Sequence, residues 1–149
     1  MRILSLGVDD EGRSYLVDEQ EVTTSTVMPG VAMTRLFATT ECPPIAPRPG
    51  TGTFGDMGLV PGTVDWMVVD MAPYSEHDEP TPLGTAMHYN NTIELFCVLE
   101  GSVHTVLGHG ALDLVPGDCV SMPGVDHATR AGPEGARFLS ISIGLAPRG

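Results

Sequence analysis

Lysine is missing from this chain: all seven basic side chains are arginine. That absence removes lysine Schiff-base chemistry and the Walker A phosphate loop, which both need the amine. Seven cations against 19 acidic residues leave a net charge of −12, and no basic stripe exists. Nucleic acid and anionic membrane are therefore not expected partners, because phosphate binding needs clustered cations. Cysteine is scarce. Cys42, Cys97 and Cys119 show no CxxC spacing, which argues against a structural zinc knuckle. Cys97 and Cys119 fall inside apolar, strand-like runs and read as small buried hydrophobes. No apolar run approaches the length of a membrane span. The start, MRILSLGVDDEG, has neither the apolar core nor the cleavage site of a signal peptide. A cytoplasmic protein is expected, and in that setting the sequon Asn90-Asn91-Thr92 carries no glycan.

What the chain has in quantity is punctuation. Thirteen prolines and eighteen glycines in 149 residues leave no room for long helices. Between the breaks lie short runs rich in β-branched residues: SYLV near 14, VAMTRLFA from 31, TVDWMVVDMA from 63 and IELFCVLEG from 93. SVHTVLG from 102, ALDLV from 111, DCVSM from 118, HATR from 127 and ARFLSISIG from 136 follow. Short strands at such spacing predict one all-β domain over 1–149, a sandwich or a barrel. Thr40–Gly62 is loaded with Pro and Gly and has no period, so it is expected to lie as a long connection over the barrel. APYSEHDEPTPLG forms a second such stretch before residue 85. Either loop could wall a pocket or be a plain excursion.

The polar residues that could carry chemistry sit in the C-terminal half. His88-Tyr89-Asn90 is followed by three residues, Glu94, six residues and Gly101. Gly117 is followed by five residues, Pro123-Gly124, two residues and His127. In a strand, residues i and i+2 share a face. His88 and Asn90 therefore point one way and Tyr89 the other, and Glu94, Phe96 and Val98 share a face.

This pair of motifs resembles the cupin family over roughly residues 64–145. The family pattern is a glycine, five residues, H-x-H, three or four residues, E, six residues, G; then G, five residues, P-x-G, two residues, H, three residues, N. The resemblance implies an antiparallel jelly-roll β-barrel whose two motifs converge in the lumen, with residues 1–63 packed on it as N-terminal strands and a long loop. This chain departs from the pattern in four places. Asn90 stands for the second histidine, three residues rather than five separate Gly84 from His88, PGVDH is one residue short, and Ala131 replaces the closing asparagine.

The implied catalytic residues are Glu94, His127 and His88. As metal ligands the resemblance implies His88, Glu94 and His127, with Asn90 as a weak fourth ligand or a partner of metal-bound water. Two histidines and a carboxylate suit Zn, Fe, Mn or Ni. A metal-free pocket, with Glu94 and His127 as a general acid/base pair, stays open beside it. Asn90, Phe96, Trp66 and His104 are the candidate pocket residues, with Met67 as core or wall. His77 could reach the barrel mouth, His109 in GHG is expected to be exposed, and Asp126 either orients His127 or shapes its turn.

The layout resembles bacterial cupin-type polyketide cyclases. The resemblance implies lyase, cyclase or isomerase chemistry on an apolar, oxygenated small molecule such as a polyketide, in secondary metabolism. A non-haem iron dioxygenase and a non-catalytic ligand-binding cupin are the alternatives. A homodimer is implied, since cupin sheet edges often pair between subunits.

Overall fold

The computed structural model describes residues 1–21, 25–28, 31–75 and 84–149; for 25–28 and 31–33 only the backbone is described. Eleven strands and no helix are found among them. They are β1 (Arg2–Val8), β2 (Ser14–Glu21), β3 (Ser25–Met28), β4 (Val31–Met33), β5 (Thr53–Gly55) and β6 (Val64–Met71). β7 (His88–Asn90), β8 (Thr92–Leu107), β9 (Ala111–Leu114), β10 (Cys119–Pro123) and β11 (His127–Gly144) complete the set. Among the described residues, no helix is long and apolar enough to cross a membrane.

Nine strands form one curled sheet, in the order β2-β1-β10-β8-β11-β7-β5, with β6 added to β11 and β9 to β8. The all-β expectation stands in this form, a half-barrel. The expected purely antiparallel arrangement does not, because β1 runs parallel to β10 and β5 parallel to β7.

β1 was not anticipated as a strand. Its alternation buries Leu4 and Leu6 at 1% and 5% exposure, so the N-terminus belongs to the sheet rather than lying over it. Arg2 secures it. Its guanidinium donates to both Asp118 oxygens, at 3.1 and 2.6 Å, and to Glu19 Oε1 at 2.9 Å. This pairing holds the Asp118 carboxyl below the usual carboxylate range and raises the Arg2 guanidinium further still.

Two of the expected strand pairs are each a single long strand. The runs at 93–101 and 102–108 are β8, and those at 127–130 and 136–144 are β11. Both bend at the same level, where Ala131 faces Val103 and Ala136 faces Gly101. Glycine is required there: Gly101 has φ +70°, and a Cβ on it would stand 2.1 Å from the Gly135 carbonyl oxygen. The bend lets β8 pair with β10 through one half and β9 through the other. This curls the sheet around a contiguous core that includes Phe96, Val98, Val103, Leu107, Met122 and Phe138. Burying each of these large side chains stabilises the fold by about 1.5–3 kcal/mol. The rings of Phe96 and Phe138 lie 4.7 Å apart.

The Pro/Gly-rich stretch 40–62 lies against this half-barrel and contributes β5, an element its lack of period concealed. Asp126, 1% exposed, accepts hydrogen bonds from Thr51 N, from Thr51 Oγ1 at 2.8 Å and from Gly52 N at 3.0 Å. Ala46 N donates to Ala146 O at 2.9 Å. In the second long loop, His77 lies outside the described residues.

Trp66 corrects an expectation. It is 74% exposed and is neither core nor pocket wall. On β6 the half-buried alternate set is Met67, Val69 and Met71, of which Val69 and Met71 pack on the core. Trp66 and Val68 consequently face solvent.

Candidate functional site

His88 and His127 are direct partners across β7 and β11, and their rings lie 4.4 Å apart, tilted by 53°. Each is held by the same local device. His88 Nδ1 lies 2.9 Å from the Ala86 carbonyl oxygen, and His127 Nδ1 lies 2.9 Å from that of Val125. A carbonyl only accepts, so Nδ1 carries the proton in both rings and Nε2 is the nitrogen left for chemistry.

Glu94 enters from the first half of β8. Its Oε2 lies 3.3 Å from His127 Nε2 and accepts a hydrogen bond from Asn90 Nδ2 at 3.0 Å. Asn90 is itself fixed: its Oδ1 accepts from Thr92 N at 3.2 Å and Thr92 Oγ1 at 3.0 Å. The Thr92 N–H can only donate, so the amide orientation is not arbitrary. All four side chains are buried, with His88, Asn90, Glu94 and His127 at 2%, 3%, 7% and 3% exposure.

The chemistry of this arrangement follows from where protons can sit. His127 directs its Nδ1 proton to Val125 O, so Nε2 is the nitrogen that faces Glu94 Oε2, at 3.3 Å. His88 is different. Burial and the neighbouring His127 push its imidazole below the ordinary histidine range, against smaller opposing effects of Ala86 O, Glu94 and Asp126. It is a neutral base whose Nε2 has no hydrogen-bond partner among the described residues.

Alternation adds two residues that the sequence reading passed over. Thr129 follows His127 by two on β11 and faces Thr105 across the ladder. Both are buried, and both hydroxyls lack a hydrogen-bond partner among the described residues. The period-two rule applied onward from His127 would have found Thr129, whereas Thr105 is placed only by the pairing of β8 with β11.

Other expected residues lie elsewhere. His104 is not in the lumen: its side chain is 44% exposed, with Nδ1 2.7 Å from Asp113 Oδ1, because Val103 and Thr105 take the inward positions. His109 is exposed as expected and pairs with Asp9 at 3.0 Å. Phe96 is buried two residues from Glu94, against Phe138. Tyr89 points away from His88 and packs on Phe54, ring centroids 5.4 Å apart. Asp126 shapes the chain rather than orienting His127, since its acceptor oxygens go to Thr51 and Gly52.

Asn90 Oδ1 and Glu94 Oε2, atoms that would have to turn to a metal, are engaged with Thr92, His127 and Asn90 itself. Among the described residues, no three His, Cys, Asp or Glu side chains form a group that could hold a metal ion.

A cleft of about 540 Å³ borders the cluster. Its walls include Pro47, Pro49, Phe54, Tyr89 and Leu145, with the cations Arg48 and Arg148 and no Asp or Glu side chain. Of the four site residues it touches Asn90 alone. No protein-family model and no curated protein sequence matches the chain.

Proposed function

We propose that this protein is a small-molecule enzyme that moves protons within its half-barrel, catalysing lyase, cyclase or isomerase chemistry on an apolar, oxygenated substrate of polyketide type. The observation that carries this reading is the buried set of the His88 imidazole, pushed below the ordinary histidine range by burial and by His127, beside Glu94 Oε2 and His127 Nε2 3.3 Å apart. Two imidazoles 4.4 Å apart ring to ring, with a carboxyl beside one of them, are groups that could remove a proton next to a carbonyl and return it elsewhere. His88 Nε2 takes the proton, Glu94–His127 supplies one, and Asn90 holds Glu94 in place. The buried hydroxyls of Thr105 and Thr129 supply donors for a substrate oxygen.

The cleft on the Tyr89 side of β7, which meets the cluster only at Asn90, is where the body of such a substrate would rest. Its volume falls in the range of small-ligand sites, about 300–1,000 Å³. Aromatic and proline walls suit a flat apolar body, and two arginines suit an enolate or carboxylate. The cupin resemblance points the same way. The proton-transfer role is assigned to the side chains themselves, and Zn, Fe, Mn or Ni on His88, Glu94 and His127 is the second reading.

The test is proton exchange in D2O on an aryl 1,3-diketone, followed by NMR. Metal-free protein should accelerate exchange beside the carbonyl, and His88→Ala or Glu94→Gln should each lower that rate about 10²–10⁴-fold. Binding without exchange would support a ligand-binding module. Exchange only after adding one of the four metals, or oxygen consumption with iron, would overturn the metal-free reading.

A further inference from the structure

Cys97 and Cys119 were read from the sequence as unrelated buried hydrophobes. The register of β8 and β10 makes them direct partners, Cys119 opposite Cys97. Val98 N donates to Asp118 O at 3.0 Å, so the ladder bond falls on the neighbouring pair and the two cysteines occupy a narrow, non-hydrogen-bonded position. Such positions bring Cα atoms to about 4.5 Å, inside the span of about 4.4–6.8 Å that a disulfide bridges. The two thiols lie close enough that Cys97 is among the causes that push Cys119 up to about 12, with burial the largest.

Access is provided. Both cysteines line a cavity of about 410 Å³ on the sheet face away from Glu94, between that face and residues 34–37. Cys97 is half-buried and Cys119 buried. Cys42 is exposed and lies in the long loop.

We propose that Cys97 and Cys119 form a reversible cross-strand disulfide under peroxide. Cys97, the more accessible thiol, attacks hydrogen peroxide as its thiolate. One oxygen is transferred to sulfur, the O–O bond breaks, and a cysteine sulfenic acid and water result. Cys119 sulfur then attacks the sulfenic sulfur, the S–O bond breaks, and a second water leaves. Two thiols lose two electrons and two protons in all, and the peroxide is reduced to two waters. A dithiol reductant reverses the bond by exchange. The bridge would tie β8 to β10 three ladder positions from the Glu94–Met122 pair. It thus fastens the strand that carries Glu94 to the strand that leads, through Gly124, to His127. The proposal stands whether or not the site is catalytic.

The experiment uses the full chain carrying Cys42→Ser, so that the pair are the only thiols. After limited hydrogen peroxide, thiols are counted in denaturant with a chromogenic disulfide, and intact mass and disulfide-mapped peptides are recorded. The expected result is loss of both thiols, loss of two hydrogen masses and a Cys97–Cys119 cross-linked peptide, all reversed by dithiothreitol. The oxidised protein should melt about 5–12 °C higher, as a loop of this length predicts. In Cys97→Ser and, separately, Cys119→Ala, no intramolecular bridge should form. Peroxide that adds two oxygens to Cys97, or leaves both thiols intact while a denatured sample oxidises, would overturn the proposal.

Discussion

Nε2 of His127 lies 3.3 Å from Oε2 of Glu94, with the Nδ1 proton of the same ring already given to Val125 O. His127 therefore turns Nε2 toward the Glu94 carboxyl, and His88 stands beside the pair with its own Nδ1 proton directed at Ala86 O. The lowered proton affinity of the His88 imidazole makes the site responsive to pH.

His88 sets the first prediction. Its folded-state affinity for a proton is below that of the unfolded chain, so the unfolded state binds more protons once pH falls below the unfolded value of about 6.5. Stability should be complete above that pH and should decline as pH drops through it. Thermal melts from pH 8 to pH 5 should show Tm falling, and His88→Gln should flatten this part of the profile.

Asn90→Asp should reverse the sign. The new carboxylate keeps an acceptor for Thr92 but turns an oxygen toward Glu94 Oε2, where an amide now donates at 3.0 Å. Two carboxylates at that distance cannot both ionise comfortably. The variant should be less stable than the parent at pH 8 and should regain stability as pH falls toward 5, measured by urea midpoints across the same range.

Asp126 is predicted to be the anchor of the long loop. Asp126→Ala would leave Thr51 N, Thr51 Oγ1 and Gly52 N without their acceptor, a loss of about 2–4 kcal/mol. Gly50→Ala should give a similar phenotype by another route, since its Cβ would lie 2.0 Å from Asp126 Oδ1. Limited proteolysis should cut first within 49–55 in both variants and spare that segment in the parent.

Gly101→Ala tests the bend. The substitution forces φ +70° on a side-chain-bearing residue and sets a Cβ against the Gly135 carbonyl. A loss of at least about 3 kcal/mol is expected, read as a lowered denaturation midpoint.

Trp66 offers a probe without mutation. It is the single tryptophan and is 74% exposed, so its native emission should be red-shifted and readily quenched by iodide. A ligand in the Asn90 cleft should leave it unchanged, whereas a blue shift on ligand addition would place Trp66 in the binding site after all.

Much of this site was legible in the sequence because strands impose a period of two. That rule alone puts His88 with Asn90 and Glu94 with Phe96 and Val98 on shared faces, and the burial pattern follows it. The rule does not say which of the two faces turns inward. Trp66 and His104 were assigned to the wrong one, because apolar or ring-bearing residues occupied both faces of β6 and the second half of β8. Only strand pairing, through Met71 facing Ala136 and Thr105 facing Thr129, decides that choice.

The sequence by itself determined an all-β chain, since its glycines and prolines interrupt every helical period and its β-branched runs have strand length. It also determined the polar residues available to the lumen and, by omitting lysine, the chemistry they cannot perform. Tertiary structure decided the rest. That β1 runs parallel to β10, that Cys97 meets Cys119, that Asp126 serves a loop 75 residues away in Thr51 and that His127 lies against Glu94 are all contacts between distant segments. No local preference encodes them, because each depends on which strand lies beside which and in what register.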